Sequence, residues 1–267
     1  MKRFFIVAFI ATLIISSCKK DATPNYNANV KAPLTIEFDN VVGDQNLILN
    51  TGTYTNALGQ TFSVSTLKYF VSNISLTRID GTNYTVPQDS SYFLLDETVP
   101  SSNTIGIRIP EGEYKQLNFT LGVDSLRNTM DISRRTGTLD PAGVAAGMYW
   151  SWNSGYIFFK MEGDSPNAPV DGTGARKFRY HIGGFGGMTT PMFNNIKTFS
   201  LSLSAAGNPK VKTGNAPNVH LFVDVLKALN GSTNISFAAY PTIMTSSYSV
   251  NVANNYANMI MHHHTEN

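Results

Sequence analysis

Apolar and polar residues alternate with a period of two along most of the chain. Leu34, Ile36 and Phe38 alternate with Thr35, Glu37 and Asp39. That spacing places one face of an extended segment in a core and the other in water. Leu67, Tyr69, Val71 and Ile74 predict a longer strand, broken near Ser72-Asn73. Ile105, Ile107 and Ile109 alternate up to the turn Pro110-Glu111-Gly112, and Tyr114, Leu117, Phe119 and Leu121 follow it. Further sets are Phe178, Tyr180 and Ile182, then Phe199, Leu201 and Leu203, then Val219, Leu221, Val223 and Val225. Val223 to Leu229 predicts a short helix closed by Asn230-Gly231. Glycine and asparagine clusters separate the runs, and no internal repeat of fixed period is visible. Many short strands with turn signals between them predict an all-β fold: one antiparallel, β-sandwich-like domain over 34–267, with long loops and little helix.

The N-terminus departs from this pattern. Lys2 and Arg3 precede an almost wholly apolar run from Phe4 to Ile15. A helix needs about 20 apolar residues to span a bilayer, so the run fits a signal-peptide core instead. Ile15-Ser16-Ser17-Cys18 then resembles the lipobox of bacterial lipoproteins, in which the thiol is acylated, palmitate included, and the chain is cut just before it. The resemblance implies a signal peptide over 1–17 and lipidation at Cys18. A polar, aperiodic tether follows over 18–33. Several acyl chains on one residue anchor stably where a single chain binds marginally. Lys19 follows the cysteine in place of a retention-type Asp, which favours the outer membrane of the cell envelope.

Composition removes several function classes. Cys18 is the only cysteine, so the domain has neither disulfide nor thiolate ligand. Charged residues make up 14% and net charge is +2, which argues against a nucleic-acid footprint of clustered Lys and Arg. No haem-attachment C-x-x-C-H and no G-x-S-x-G elbow occurs. Gly183-Gly184-Phe185-Gly186-Gly187 lacks the spacing of a phosphate cradle. Asp124, Asp131, Asp140 and Glu162 are carboxylates whose spacing requires no pairing. A non-enzymatic protein is expected.

Two stretches remain as candidate chemistry. Gly147-Met148-Tyr149-Trp150-Ser151-Trp152-Asn153-Ser154-Gly155-Tyr156 holds both tryptophans, which would share a face in a strand. Aromatic core packing also accounts for such rings. The histidines are His181 and His220, each between apolar residues of a strand, and the tail Asn258-Met259-Ile260-Met261-His262-His263-His264. Imidazole is the commonest metal ligand. In an extended tail His262 and His264 share one face, and Met261 and His263 the other. Thr265-Glu266-Asn267 follow the histidines, which argues against a purification tag.

The order of Leu121-Gly122-Val123-Asp124-Ser125-Leu126-Arg127-Asn128, the Leu139-Asp140-Pro141 turn, the tryptophan block, Phe178-Arg179-Tyr180-His181-Ile182-Gly183-Gly184, Val223-Asp224-Val225 and the histidine tail resembles the MbnP family of copper-binding envelope proteins. The resemblance covers nearly all of the chain from Leu34 onward. It implies a copper-binding protein in which a dihaem partner of the MauG type oxidises a tryptophan, Trp150 or Trp152, to kynurenine. Copper ligands are then expected among His181, His220, His262 and His264, with Met259 and Met261 close by. Imidazole and thioether suit copper better than carboxylate does. The alternative is a surface glycan- or peptide-binding module, with Tyr149, Trp150, Trp152 and Tyr156 as a stacking platform.

Overall fold

The computed structural model describes residues 25–267, so the signal segment and Cys18 lie outside the described residues. The strands are β1 (Lys31–Val42), β2 (Gln45–Asn46), β3 (Tyr54–Thr55), β4 (Thr61–Arg78), β5 (Asn83–Thr85), β6 (Tyr92–Asp96), β7 (Thr104–Pro110) and β8 (Gly112–Leu121). They continue with β9 (Ile157–Asp164), β10 (Lys177–Gly183), β11 (Lys197–Ser202), β12 (Lys210–Val211), β13 (Asn218–Asp224), β14 (Thr242–Ile243) and β15 (Ile260–Glu266). Helices are few and short: α1 (Ser125–Thr129), α2 (Leu226–Leu229) and α3 (Ser249–Tyr256). Among the described residues no helix is long and apolar enough to cross a membrane.

β1 shows how the alternation builds the core. Ala32, Leu34, Ile36, Phe38, Asn40 and Val42 all point inward and are buried. The inward polar residue is satisfied: Asn40 accepts from the Tyr69 hydroxyl at 2.9 Å and donates to Glu97 at 2.7 Å, as a buried amide must. The strand begins at Lys31, inside the segment 18–33 expected to be tether. Ala32 is apolar and sealed opposite Ile109, and the chain before it is tied down where the Asn27 amide donates to Glu111 at 3.0 Å.

β1 lies in a five-stranded sheet running β15-β13-β1-β2, with β7 also on β1. The second sheet has ten strands, with the path β11-β8-β4-β9-β10-β14. Phe38 links the two sheets, edge-on to Phe119 with ring centroids 5.7 Å apart; Phe119 stacks on Phe199 at 5.1 Å. The all-β expectation holds, with one correction: β1 runs parallel to β13, and β10 parallel to β14. β13 can lie parallel to β1 because about 180 residues of intervening chain form the crossover that parallel pairing needs.

Two local expectations also change. β4 is continuous through Ser72-Asn73: Asn73 takes a left-handed φ of 54° and the pairing with β8 slips there. Asparagine tolerates that conformation better than most residues. The helix expected from Val223 starts only at Leu226, because β13 keeps its pairing with β1 up to Asp224.

Candidate metal centre

β15 pairs antiparallel with β13, and the pairing contains one irregularity. Met261 faces Phe222 and His262 faces Leu221, but His264 faces His220. His263 is therefore an extra residue, a β-bulge. The bulge breaks the strict alternation that would send His263 and His264 to opposite faces, and both rings gather around His220. Ring centroids are 5.2 Å apart for His220 and His263, 4.8 Å for His220 and His264, and 4.7 Å for His263 and His264. Phe222 stacks on the His263 ring at 4.0 Å.

The nitrogens converge more closely still. Nδ1 of His263 lies 3.2 Å from Nδ1 of His220 and 2.9 Å from Nδ1 of His264. Facing imidazole lone pairs repel, so three such atoms need a proton or a cation among them. The far nitrogens face carboxylates. His220 Nε2 lies 3.5 Å from Asp39 and 4.0 Å from Glu37, and His264 Nε2 lies 3.4 Å from Glu266. Glu37 stands opposite His220 on the outward face of β1. A carboxylate at Nε2 holds the proton there and leaves Nδ1 as a free lone pair. Among the described residues these three histidines form the group of His, Cys, Asp and Glu side chains close enough to share an ion.

The expected ligand set is thus partly assembled. His220 and His264 come together, and His263, assigned by alternation to the opposite face, joins them. His262 does not: its Nε2 meets the Thr265 hydroxyl at 3.0 Å, and its Nδ1 is buried without a partner. Burial is the main cause that lowers its pKa. Met259 is sealed in the core and Met261 is half exposed. His181 sits on β10, in the other sheet, outside the three-histidine group.

His181 belongs instead to the tryptophan block. Its Nε2 meets Glu162 at 2.5 Å, and its ring lies 6.5 Å from that of Trp150. Burial pulls the His181 pKa down, against the pull of Glu162. For Glu162 burial acts upward, but the His181 hydrogen bond and nearby Lys160 outweigh it and the net shift is downward. A neutral imidazole donating to a carboxylate accounts for both directions. The tryptophans lie in a tight loop, not a strand, closed by a bridge between Tyr149 and Tyr156 and by the Trp150 amide on the Gly155 carbonyl. They still stack, with centroids 5.5 Å apart and planes 22° apart. Trp150 is 8% exposed and Trp152 is 52% exposed. Gly183 is required beneath them, since a Cβ there would lie 3.0 Å from the Trp150 ring. The carboxylates Asp124, Asp131 and Asp140 accept local backbone amides, which is a turn and capping role.

The family model of MbnP matches residues 31–245. The chain belongs to the MbnP family. The tail histidines lie beyond the matched residues, whereas the tryptophan block lies inside them. Among solved structures, MbnP from Methylosinus trichosporium is similar, with a TM-score of 0.54 and 17% identity, over 82% of this chain and 82% of that one. At that identity the likeness is one of fold. No curated protein matches the chain.

In this MbnP-family chain the residue that alternation misassigned is His263. A run of three histidines ending a strand opposite a fourth was the available signal. Nothing in the residue order marks where the bulge falls.

Proposed function

We propose that this protein is a non-enzymatic, copper-binding lipoprotein of the cell envelope, anchored through Cys18, with His220, His263 and His264 as the copper ligands. The observation that supports it is the meeting of three Nδ1 atoms, with Asp39 and Glu266 behind two of the rings. Nitrogens bound to one tetrahedral ion at about 2.0–2.1 Å sit roughly 3.3 Å apart, close to the separations present. An all-imidazole set without thiolate suits copper in either oxidation state. Bound copper would supply a soft cation that replaces the repulsion among the three lone pairs.

Tryptophan oxidation is a second part of the reading. Trp152, the more exposed ring, is the one open to a dihaem oxidant of the MauG type. Conversion to kynurenine adds two oxygen atoms, from one dioxygen or two equivalents of hydrogen peroxide, across the indole C2–C3 bond, which breaks, and then loses C2 as formate on hydrolysis. The product carries one oxygen more and one carbon fewer. The tryptophans neighbour His181 rather than the three-histidine group, so the two centres are tested separately.

Titration of the purified protein with Cu(I) and Cu(II) against a competing chelator tests the copper site. One tight equivalent is expected, lost in His220→Ala and His263→Ala and kept in His181→Ala. Tight binding that survives loss of His220 and His263 would overturn the assignment. Labelling of cells with an alkynyl palmitate reads the anchor, with Cys18→Ser expected to abolish the signal. Intact mass of protein from native membranes reads the kynurenine.

A further inference from the structure

A cavity of about 460 Å³ lies beside the tryptophan loop, with Arg127, Arg134, Arg135, Asp89, Tyr92 and Met130 in its wall. Three guanidinium groups there face one carboxylate. Asp89 pairs with Arg127. Among the described residues neither Arg134 nor Arg135 has an ion-pair partner.

Arg135 is the informative group, because it is only 5% exposed. Its Nε and Nη2 donate to the Met130 carbonyl at 3.0 and 2.7 Å, and Nη2 also donates to the Asn128 carbonyl at 2.8 Å. Its guanidinium lies over the rings of Tyr149 and Tyr156, at 4.9 and 5.5 Å. Nη1 has no partner. Carbonyls and aromatic faces satisfy part of this group; Asp131 acts on it and on Arg134 only through space, and no carboxylate is in direct contact with a charge taken out of water. A buried, unpaired charge is costly. Arginine is also the side chain best shaped to grip carboxylate or phosphate oxygens.

We propose that this cavity is a binding site for a small oxyanion-bearing molecule, a carboxylate or a phosphate, held by Arg134 and Arg127 in the field of Arg135. The volume is that of a small-molecule site, which runs from about 300 to 1,000 Å³. Met130 and Leu139 give the wall an apolar part, so the ligand carries a short carbon body as well as its charge. Occupancy is communicated to the tryptophans. Arg135 supports the Tyr149 and Tyr156 rings, and Asn128 accepts the Tyr156 amide at 2.9 Å; both tryptophans lie in the loop those tyrosines close. The site stands apart from the copper reading.

Citrate and inorganic phosphate are the probes, each titrated into the purified protein at fixed ionic strength by calorimetry and tryptophan fluorescence. Saturable binding of at least one is expected, with a change in emission. Citrate alone marks a carboxylate site and phosphate alone a phosphate site. Arg134 is exposed, so Arg134→Glu leaves the fold intact; it should weaken binding about tenfold or more. Asp89→Asn removes the carboxylate that competes for Arg127 and should tighten binding. Lys177→Glu makes the same charge change as Arg134→Glu outside the cavity lining and should change nothing. The proposal is overturned by failure of both probes to bind, by affinities that ignore Arg134 and Asp89, or by Lys177→Glu acting as strongly as Arg134→Glu.

Discussion

The histidines of this chain fall into three environments, the shared group of His220, His263 and His264, His262 on Thr265, and His181 on Glu162, and that makes their roles separable. His263 contributes the nitrogen common to both short contacts, so His263→Ala should cost more copper affinity than any other tail substitution, while His262→Ala, whose ring bonds Thr265 instead, should leave it nearly unchanged. The carboxylates act through the imidazoles, so Asp39→Asn should weaken copper by about 10–100-fold, the usual effect of losing a partner behind a ligand. Competition titrations separate these cases, and equal losses for His262 and His263 would argue against the bulge. His181 carries a pH prediction. Its pKa is lowered from the ordinary 6.5, chiefly by burial. Below pH 6.5 the unfolded chain takes up a proton that the folded one refuses, so stability falls as pH drops from 6.5 through the folded value. An NMR titration should place the His181 midpoint below 6.5, and Glu162→Gln should move it lower still by removing the charge that opposes the shift. A midpoint at or above 6.5 would show the ring to be less buried than the structure has it.

At the scale of elements, the metal centre is a property of the β13–β15 pairing. Deleting His263 should leave His220 opposite His264 in a regular ladder, remove the bulge, and keep two of the three ligands. The expected outcome is a folded protein, by circular dichroism, that has lost tight copper binding; an unfolded one would mean that the bulge serves the fold itself. The sheet-to-sheet contact is a separate matter. Phe38→Ala should cost about 3–5 kcal/mol in urea unfolding, the range for removing a buried aromatic ring. How far these elements were legible in the sequence follows from what each depends on. β1, β7, β10, β11 and β13 follow the alternation of their own residues, because each buries one face; in β8 the buried positions change phase between Tyr114 and Leu117. β1 starts earlier than expected because Ala32, a small residue in polar company, carries little pattern. The parallel pairing of β1 with β13 is a matter of which strands meet, and alternation is blind to it. Trp150 and Trp152 are expected to share a face if they lie in a strand; they lie in a tight loop and stack on each other there. α3 was invisible because Ser249–Tyr256 mixes Val250, Val252, Ala253 and Tyr256 with serine and three asparagines and is held by its neighbours; Asn255 in that helix donates to the Ala228 and Thr233 carbonyls.

Across the whole molecule, the first and last described strands lie in one sheet. Thr35 pairs with Asn218, which pairs with Glu266, so the start of β1 and the end of β15 lie at the same end of three neighbouring strands. His220 and His264 lie two positions in from the Asn218–Glu266 pair, at that same end of the sheet. β15 is an edge strand, paired on one side by β13, and edges are where sheets open first. An ion held by His220 on β13 and by His263 and His264 on β15 would pin that edge, and its binding free energy would appear as folding free energy. At a free copper concentration 100 times Kd the gain is about 2.7 kcal/mol, which for a domain of this size is roughly 5–10 °C in Tm. Thermal unfolding with and without copper should show that rise. It should be reversed by a copper chelator, and it should be absent from His263→Ala. A rise of the same size in His263→Ala would mean that copper stabilises the fold from some other place, and would move the search for the ion to His181 and the stacked tryptophans.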